Sequence, residues 1–320
     1  MKMNSFTRRL VFASAFLCAV IFLSRCNKTN NSGNSTTGYT ITDIMKQSIN
    51  ATIFNKALTT TGLDTLLAGQ GPFTAFIPTD SAFAASGITL STISSVPASV
   101  IKGLVLYDII AGSALLRASL PAGPAARMVM ANGDSTFITN NSAGLFINGI
   151  PIREADIKAS NGIIHAISQS ALLPAQGSLY QLLQLDTSFT LLIAAVARAS
   201  QGSTDVQTLL SSKGPFTLLA PVNSAFRNNG YADIPAINSA NPDTLANQLL
   251  YHMLPGRLFT PDIVDGKKLF TASDSTMVFN AVSGHWKLRG NGNTSDINLI
   301  NANILGYNGV LFVIDQMLQY

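Results

Sequence analysis

Three histidines are the side chains in this chain best suited to proton transfer or metal binding near neutral pH. His165 lies among apolar residues in a predicted strand, which indicates a packed, hydrogen-bonded imidazole. His252 follows Tyr251 at the end of a predicted helix, where it can either bond a nearby carbonyl or contact a ligand. His285 adjoins Trp286, the only tryptophan, and is interpreted as a turn residue beside an aromatic ring or as part of a ligand platform.

The spacing of the reactive side chains argues against catalysis. The sequence contains no HxxxH, HExxH or CxxC motif and no Asp-rich calcium loop, so we predict no metal site and no cofactor. It also lacks a GxSxG elbow, a P-loop and a GxGxxG loop. A Ser-His-Asp triad from distant positions stays open, because such triads are recognised by geometry and not by spacing. We therefore expect a protein that is not an enzyme, with an enzyme acting on an extracellular polymer as the weakest alternative.

The charge distribution excludes nucleic-acid binding. The formal net charge of +4 comes entirely from Lys2, Arg8, Arg9 and Arg25, because the first 25 residues contain no acidic side chain. The rest of the chain has no basic excess, and such an excess is what binding to phosphate backbones requires. Fifteen of the sixteen acidic residues are Asp, the exception being Glu154, which indicates capped turns and helices more than acid catalysts.

Residues 1–25 are typical of a signal peptide. Basic residues precede an apolar run over residues 10–23, which is the length of a signal core and short for a membrane span. The following Leu-Ser-Arg-Cys, residues 23–26, resembles a bacterial lipobox in which Cys26 would carry the lipid, although Arg25 departs from the small residue that this pattern prefers. Ordinary signal-peptidase cleavage, with secretion, and an uncleaved anchor helix remain alternatives.

The cysteine count favours the lipid interpretation. Cys18 lies within the apolar run and would be removed with it, which leaves Cys26 without a partner for a disulfide. Residues 26–39 are rich in Gly, Ser, Thr and Asn and are predicted to form a flexible tether.

Two long segments of the chain repeat each other. Three motifs recur in the same order: residues 71–83 (GPFTAFIPTDSAF) and 214–226 (GPFTLLAPVNSAF), residues 106–110 (LYDII) and 250–254 (LYHML), and residues 161–167 (NGIIHAI) and 308–314 (NGVLFVI). The offset stays between 143 and 147 positions, which is far longer than the period of a solenoid repeat. We therefore predict two whole domains, residues 40–174 and 175–320.

Each copy is predicted to open on a strand and to close on a hairpin. The Gly-Pro turn leads into a short buried strand that ends at proline, and Asp80 or Asn223 is predicted to cap the helix that follows. The Asn-Gly pairs predict tight turns into apolar strands, whose partner strands are predicted over residues 146–152 and 296–300. Helical apolar spacing occurs over residues 178–183, 189–197 and 242–251. Strands at both ends with helices between them indicate an α+β fold.

These motifs resemble the two signatures of the fasciclin-like (FAS1) domain family. The first signature is present as FTAFIPTDSAF and FTLLAPVNSAF, and the second as NGIIHAIS and NGVLFVID. The resemblance covers about residues 40–318 and implies two tandem α+β domains, each a β-wedge or sandwich of short strands with a helical layer. It assigns structural roles to Thr74, Pro78, Asp80, Phe83, Asn161, Gly162 and His165 in the first copy, and to Thr217, Pro221, Asn223, Phe226, Asn308 and Gly309 in the second. Phe312 stands where the family usually has His.

The resemblance also implies a role in adhesion or extracellular binding. Tyr251 and His252 match the family's Tyr-His region, which is implicated in receptor recognition in animal members, and are the candidate binding residues; Asp108 breaks the pair in the first copy. We expect an outer-membrane lipoprotein of the cell envelope, on the periplasmic or surface face, whose partner is a cell-surface or matrix protein or a glycan. A structural subunit or spacer of an envelope assembly, connected with carbohydrate uptake, is the alternative.

Overall fold

A computed structural model of the chain describes residues 38–48 and 50–320. The predicted signal peptide, Cys26 and nearly all of the predicted tether lie outside the described residues. None of the helices in the described ranges combines the length and the apolar character needed to cross a membrane.

The first copy has a helical part built around one central strand and a run of strands that follows it. Its helices are α1 (Ile41–Ser48), α2 (Thr52–Thr61), α3 (Asp64–Ala68), α4 (Asp80–Ala85), α5 (Leu90–Ser95) and α6 (Ala98–Tyr107). Its strands are β1 (Phe73–Pro78), β2 (Ile109–Ala111), β3 (Gly123–Val129), β4 (Ser135–Asn141), β5 (Gly144–Ile147), β6 (Ile150–Ala159) and β7 (Gly162–Ile167). The strands form one sheet in the order β2-β1-β7-β6-β5-β4-β3.

The second copy repeats this arrangement. Its helices are α7 (Leu179–Gln184), α8 (Thr190–Ala199), α9 (Val206–Ser211), α10 (Asn223–Asn228), α11 (Ile234–Ser239) and α12 (Pro242–Tyr251). Its strands are β8 (Phe216–Pro221), β9 (Met253–Pro255), β10 (Lys268–Phe270), β11 (Thr276–Val282), β12 (His285–Gly290), β13 (Ile297–Gly306) and β14 (Gly309–Ile314). Their order is β10-β11-β12-β13-β14-β8-β9, which matches the first sheet strand for strand when it is read from β9 to β10.

The two signature motifs meet as parallel neighbours in the centre of each sheet. β1 pairs with β7 from Phe73 opposite Gly162 onward, and β8 pairs with β14 in the same way. All six residues of β1 and of β7 are buried, which explains why both strands are largely apolar in sequence, with Thr74 and His165 as the polar exceptions. Glycine is required where these strands approach, because a Cβ on Gly71 would lie 1.9 Å from the carbonyl oxygen of Asn161.

The α+β prediction and the two tandem domains are confirmed, and the hairpins form at both Asn-Gly pairs. β6 and β7 are joined by a two-residue turn, as are β13 and β14. The partner strand of the first hairpin is placed differently from the prediction, since β6 runs over Ile150–Ala159 and residues 146–147 belong to β5.

The prediction that Asp80 and Asn223 cap their own helices is wrong. The N-cap of α4 is Thr79, whose hydroxyl accepts the N–H of Ala82, and Asp80 is already inside the helix. Asp80 Oδ1 instead accepts the N–H of Ile53 at 2.8 Å, in the first turn of α2. In the second copy Asn223 Oδ1 accepts the N–H of Leu191 at 2.9 Å, in the first turn of α8. Both α2 and α8 lack a capping side chain from their own N-cap residue, so the signature residue caps a neighbouring helix.

Candidate functional site

The Tyr-His pair lies at the end of α12 and is fully buried. Tyr251 donates its hydroxyl to the carbonyl of Thr276 at 2.7 Å and accepts the N–H of Asn291 at 2.9 Å. His252 Nδ1 lies 2.8 Å from the carbonyl oxygen of Gln248, and Nε2 accepts the N–H of Leu318 at 2.9 Å. Neither side chain has exposed surface, and His252 joins the end of α12 to the segment at Leu318.

These contacts define the charge state of His252. A carbonyl oxygen only accepts and an amide N–H only donates, so the imidazole is neutral with its proton on Nδ1. Burial lowers the pKa of His252 to about 4, because a charged imidazole would be desolvated there. Protonation of Nε2 would also point its N–H at the backbone N–H of Leu318, so that two donors would face each other.

The first copy keeps the tyrosine and replaces the histidine. Tyr107 donates its hydroxyl to the carbonyl of Ser135 at 3.0 Å and accepts Nδ2 of Asn148 at 3.0 Å. Asp108 is buried, and its Oδ1 has no hydrogen-bond partner within the described residues. Burial raises the pKa of this carboxyl well above its usual value.

His165 is a structural residue of β7. Its Nε2 lies 2.9 Å from the carbonyl oxygen of Leu115, its Nδ1 accepts the N–H of Asp156 at 3.3 Å, and its ring stacks on Phe76 with centroids 5.2 Å apart. The imidazole is fully buried, and burial lowers its pKa. In β14 the corresponding Phe312 instead packs edge-on against Phe279, with ring centroids 6.2 Å apart.

The signature asparagines join the helices to the hairpin. Asn161 donates Nδ2 to the carbonyls of Leu67 and Gly69 at 2.7 and 2.8 Å, and its Oδ1 accepts the N–H of Ile41 at 2.9 Å. In the second copy the same three bonds link Asn308 to Leu210, Lys213 and Leu179. The amide of Asn161 therefore joins the end of α3 to the start of α1. The amide of Asn308 joins the end of α9 to the start of α7 in the same way.

The remaining signature residues are also structural. Thr217 donates its hydroxyl to the carbonyl of Gly256 at 2.9 Å and accepts the N–H of Leu258 at 2.8 Å. Thr74 makes the same pair of bonds in the first copy, to Ser113 and Leu115. Phe83 and Phe226 lie in the cores, and Pro78 and Pro221 end β1 and β8. A Cβ on Gly162 would lie 2.2 Å from the carbonyl oxygen of Phe73. A Cβ on Gly309 would lie equally close to the carbonyl oxygen of Phe216.

His285 lies apart from the other histidines. It is the exposed first residue of β12, just after a turn at Ser283 and Gly284, while the neighbouring Trp286 packs edge-on against Phe279. Within the described residues no three His, Cys, Asp or Glu side chains are grouped closely enough to hold a metal ion. The sequence-predicted site residues are thus distributed over both domains and do not form one cluster.

A contact between the two domains is the feature that the sequence did not predict. Phe137 of β4 is buried in the apolar cluster of the second domain, with its ring centroid 6.1 Å from that of Phe259. The guanidinium of Arg257 lies over the Phe137 ring, 4.3 Å from its centroid. Thr139 donates its hydroxyl to Oδ1 of Asp262 at 2.6 Å, which joins β4 to the second domain by a charge-assisted bond.

A crevice of about 580 Å³ opens beside this contact. It is lined from the first domain by Arg127 and Ser135 and from the second by Arg257 and Tyr307, with Phe137 at its wall. A signal for it exists in the repeat: Tyr307 takes the place of Ser160 before the Asn-Gly pair, and Arg257 replaces the small residues of the first copy's loop, Ser113 and Ala114.

Comparison with known proteins identifies the family. The fasciclin domain model matches residues 50–174 and 187–320. The chain is 27% identical over 258 residues to transforming growth factor-beta-induced protein ig-h3 of Sus scrofa, which covers 79% of this chain and 35% of that protein. It is 31% identical over 137 residues to Protein sll1483 of Synechocystis sp., which covers 41% of this chain and 67% of that protein.

Among solved structures, the FAS1 domain pair from the insect cell adhesion molecule fasciclin I aligns with a TM-score of 0.40 and 16% identity, over 83% of this chain and 96% of that one. The chain spans about a third of the length of the ig-h3 proteins that it matches. Because the family model matches both copies and most of the chain, the protein belongs to the fasciclin domain family, with two tandem FAS1-like domains.

Proposed function

We propose that this protein is a non-catalytic adhesion or binding module of the cell envelope, anchored by lipid and presenting its two domains, residues 40–174 and 175–320, to a protein or glycan. The observation that carries the proposal is the family match over both copies, since fasciclin domains are found in cell-adhesion proteins. The signature side chains fit a non-catalytic protein, because their polar atoms form hydrogen bonds that hold helices and strands together.

The binding role is tested by attachment of cells. Cells that express the full chain are compared with cells of a deletion strain for attachment to immobilised matrix proteins and to a glycan array. We expect the expressing cells to attach to a defined subset of these ligands. Equal attachment by both strains to every ligand would contradict the proposed function.

We retain Tyr251 and His252 as candidate binding residues, acting through the surface that they hold. Tyr320 packs edge-on against Tyr251 with ring centroids 5.5 Å apart, and it is 60% exposed. The double variant Tyr251→Ala and His252→Ala is expected to weaken attachment, and Tyr107→Ala, which removes the equivalent buried hydroxyl of the first copy, is the matched control. If both variants remain folded by circular dichroism and attach like the wild type, this assignment is lost.

Lipid attachment at Cys26 is tested separately. Cells fed a clickable palmitate are expected to label the wild-type protein and not the Cys26→Ala variant. An unlabelled wild type, or equal labelling of the two, would contradict the lipoprotein proposal while leaving the binding role untouched.

A spacer in an envelope assembly is a second candidate, favoured by the bonds between the domains. Thr139 and Asn141 of β4 donate to Asp262 Oδ1 and to the carbonyl of Pro261, which holds the two domains as one unit. A spacer is expected to co-purify in fixed stoichiometry with envelope partners from solubilised membranes, whereas a binding module attaches to ligand without them.

A further inference from the structure

The crevice between the domains concentrates positive charge. Arg127 and Phe137 are directly opposite each other on β3 and β4, so their side chains lie on the same face of the sheet. Arg257 stacks on Phe137, and both arginines line the same crevice as this ring. Burial and the nearby Arg127 both lower the pKa of Arg257.

No carboxylate neutralises these arginines within the described residues, where the single ion pair joins Arg289 to Asp296. Arg257 donates Nη2 to the carbonyls of Gly306 and Tyr307, while its buried Nε has no partner in the described part of the chain. Asp134 lines a smaller adjoining crevice of about 160 Å³, where its Oδ2 accepts Nδ2 of Asn132 at 2.8 Å.

The position of Arg257 is fixed by the fold. The hydroxyl of Thr217 bonds the two residues that flank Arg257: it donates to the carbonyl of Gly256 and accepts the N–H of Leu258. The signature threonine thus holds the loop that presents this guanidinium, and binding would not need to order it.

The crevice also offers an aromatic surface. Tyr307 is 65% exposed at the tip of the last hairpin, beside the guanidinium of Arg257, which bonds its carbonyl. The C–H face of a pyranose ring packs well against such a ring. The volume of about 580 Å³ falls within the range of small-molecule sites, roughly 300–1,000 Å³.

We propose that this crevice, formed by Arg127, Ser135, Arg257 and Tyr307, binds an anionic glycan, with the guanidinium groups taking its carboxylate or sulfate and Tyr307 taking a sugar face. Arginine suits this role because its guanidinium stays charged and donates charge-assisted hydrogen bonds to oxyanions. The inference rests on the proposed binding function and names its site and ligand class. A glycan is favoured over an acidic protein because an exposed aromatic residue lines the same crevice as the two arginines.

The test measures retardation of the full chain in affinity gels containing polygalacturonate, dextran sulfate, uncharged dextran or poly-L-glutamate. We expect retardation by one or both anionic glycans, weakened by salt, and none by dextran. Arg127→Gln, which removes one charge-assisted bond, and Tyr307→Ser, which removes the aromatic face, are each expected to weaken affinity about tenfold. Arg153→Gln and Tyr39→Ser, at exposed positions outside the crevice, are the matched controls and should leave affinity unchanged.

Three results would overturn the inference: no retardation by either anionic glycan, wild-type affinity in both crevice variants, or equal retardation by poly-L-glutamate, which would assign the binding to charge alone. The relative affinity for polygalacturonate and dextran sulfate distinguishes carboxylate from sulfate as the recognised group. If cells expressing the chain still attach to other ligands while these gels show nothing, the site is wrong and the proposed function stands.

Discussion

At the level of single residues, His252 and Asp108 occupy the same place at the ends of corresponding helices, yet burial moves their pKa values in opposite directions. The unfolded chain takes up a proton at His252 near pH 6.5, whereas the folded chain does so only near a pKa of about 4. The free energy of unfolding contributed by this group is therefore present above pH 6.5 and is lost as the pH falls through 4.

This linkage predicts that acid weakens the second domain by about 3 kcal/mol between pH 7 and pH 4 through His252 alone. Urea unfolding of the wild type and of His252→Gln at several pH values measures it. The variant is expected to show a smaller fall in stability over this range, while His285→Gln, at an exposed histidine, should behave like the wild type. An unchanged pH dependence in His252→Gln would show that the buried imidazole does not carry this effect.

Asp108 has the opposite sign. Its raised pKa means that the folded chain holds the proton more tightly than the unfolded chain, so stability from this group is present below pH 4 and falls as the pH rises. Asp108→Asn removes a carboxyl that folding must either bury as a charge or protonate at pH 7, and it is expected to raise the free energy of unfolding at that pH by about 1 kcal/mol or more. The gain should shrink toward pH 4. Glu154→Gln, an exposed carboxylate, is the control, and a destabilised Asp108→Asn at pH 7 would refute the argument.

At the level of the elements, the signature asparagine is the group that ties the helices to the sheet. Asn161→Ala and Asn308→Ala each leave three backbone groups without their partner, and each is expected to lower the free energy of unfolding of its own domain by about 3 kcal/mol. Asn161→Asp keeps the acceptor for Ile41 but places a buried carboxylate oxygen against the carbonyl oxygens of Leu67 and Gly69, so near neutral pH it should be at least as destabilising as Ala. Chemical unfolding measures these differences, with exposed Asn228→Ala as control. Equal stability of Asn161→Ala and the control would contradict the role.

The elements also show what the sequence can predict. The repeat located β1, β8 and both hairpins, and residues 242–251 coincide with α12, because these depend on local patterns of apolar residues, Gly and Pro. The caps could not be predicted in the same way. Asp80 bonds the N–H of Ile53, 27 positions earlier, and no local rule selects such a partner. Likewise the burial of Tyr251 could not be predicted, since residue type and motif carry no information on burial.

At the level of the whole molecule, the crevice depends on how the domains meet, which the repeat does not encode. Each copy predicts its own core, but Phe137 of the first domain is buried with Phe259 of the second, and only the assembled pair brings Arg127 near Arg257. The substitutions of Ser160 by Tyr307 and of a small loop by Arg257 are visible in the repeat. That both substituted residues line one crevice follows only from the contact between the domains.

This contact predicts that the domains stabilise each other through Phe137. Phe137→Ala removes a ring shared between the two and is expected to cost about 3–5 kcal/mol. In the full chain, hydrogen exchange should accelerate in β4 and also in the loop of Thr260–Asp262, which faces it. Phe279→Ala, at a ring of the same cluster that packs edge-on against Trp286 and Phe312 of the second domain, is the matched control and should accelerate exchange in the second domain alone. If Phe137→Ala changes exchange only in the first domain, the packing does not couple the two, and the crevice would have to form without help from that contact.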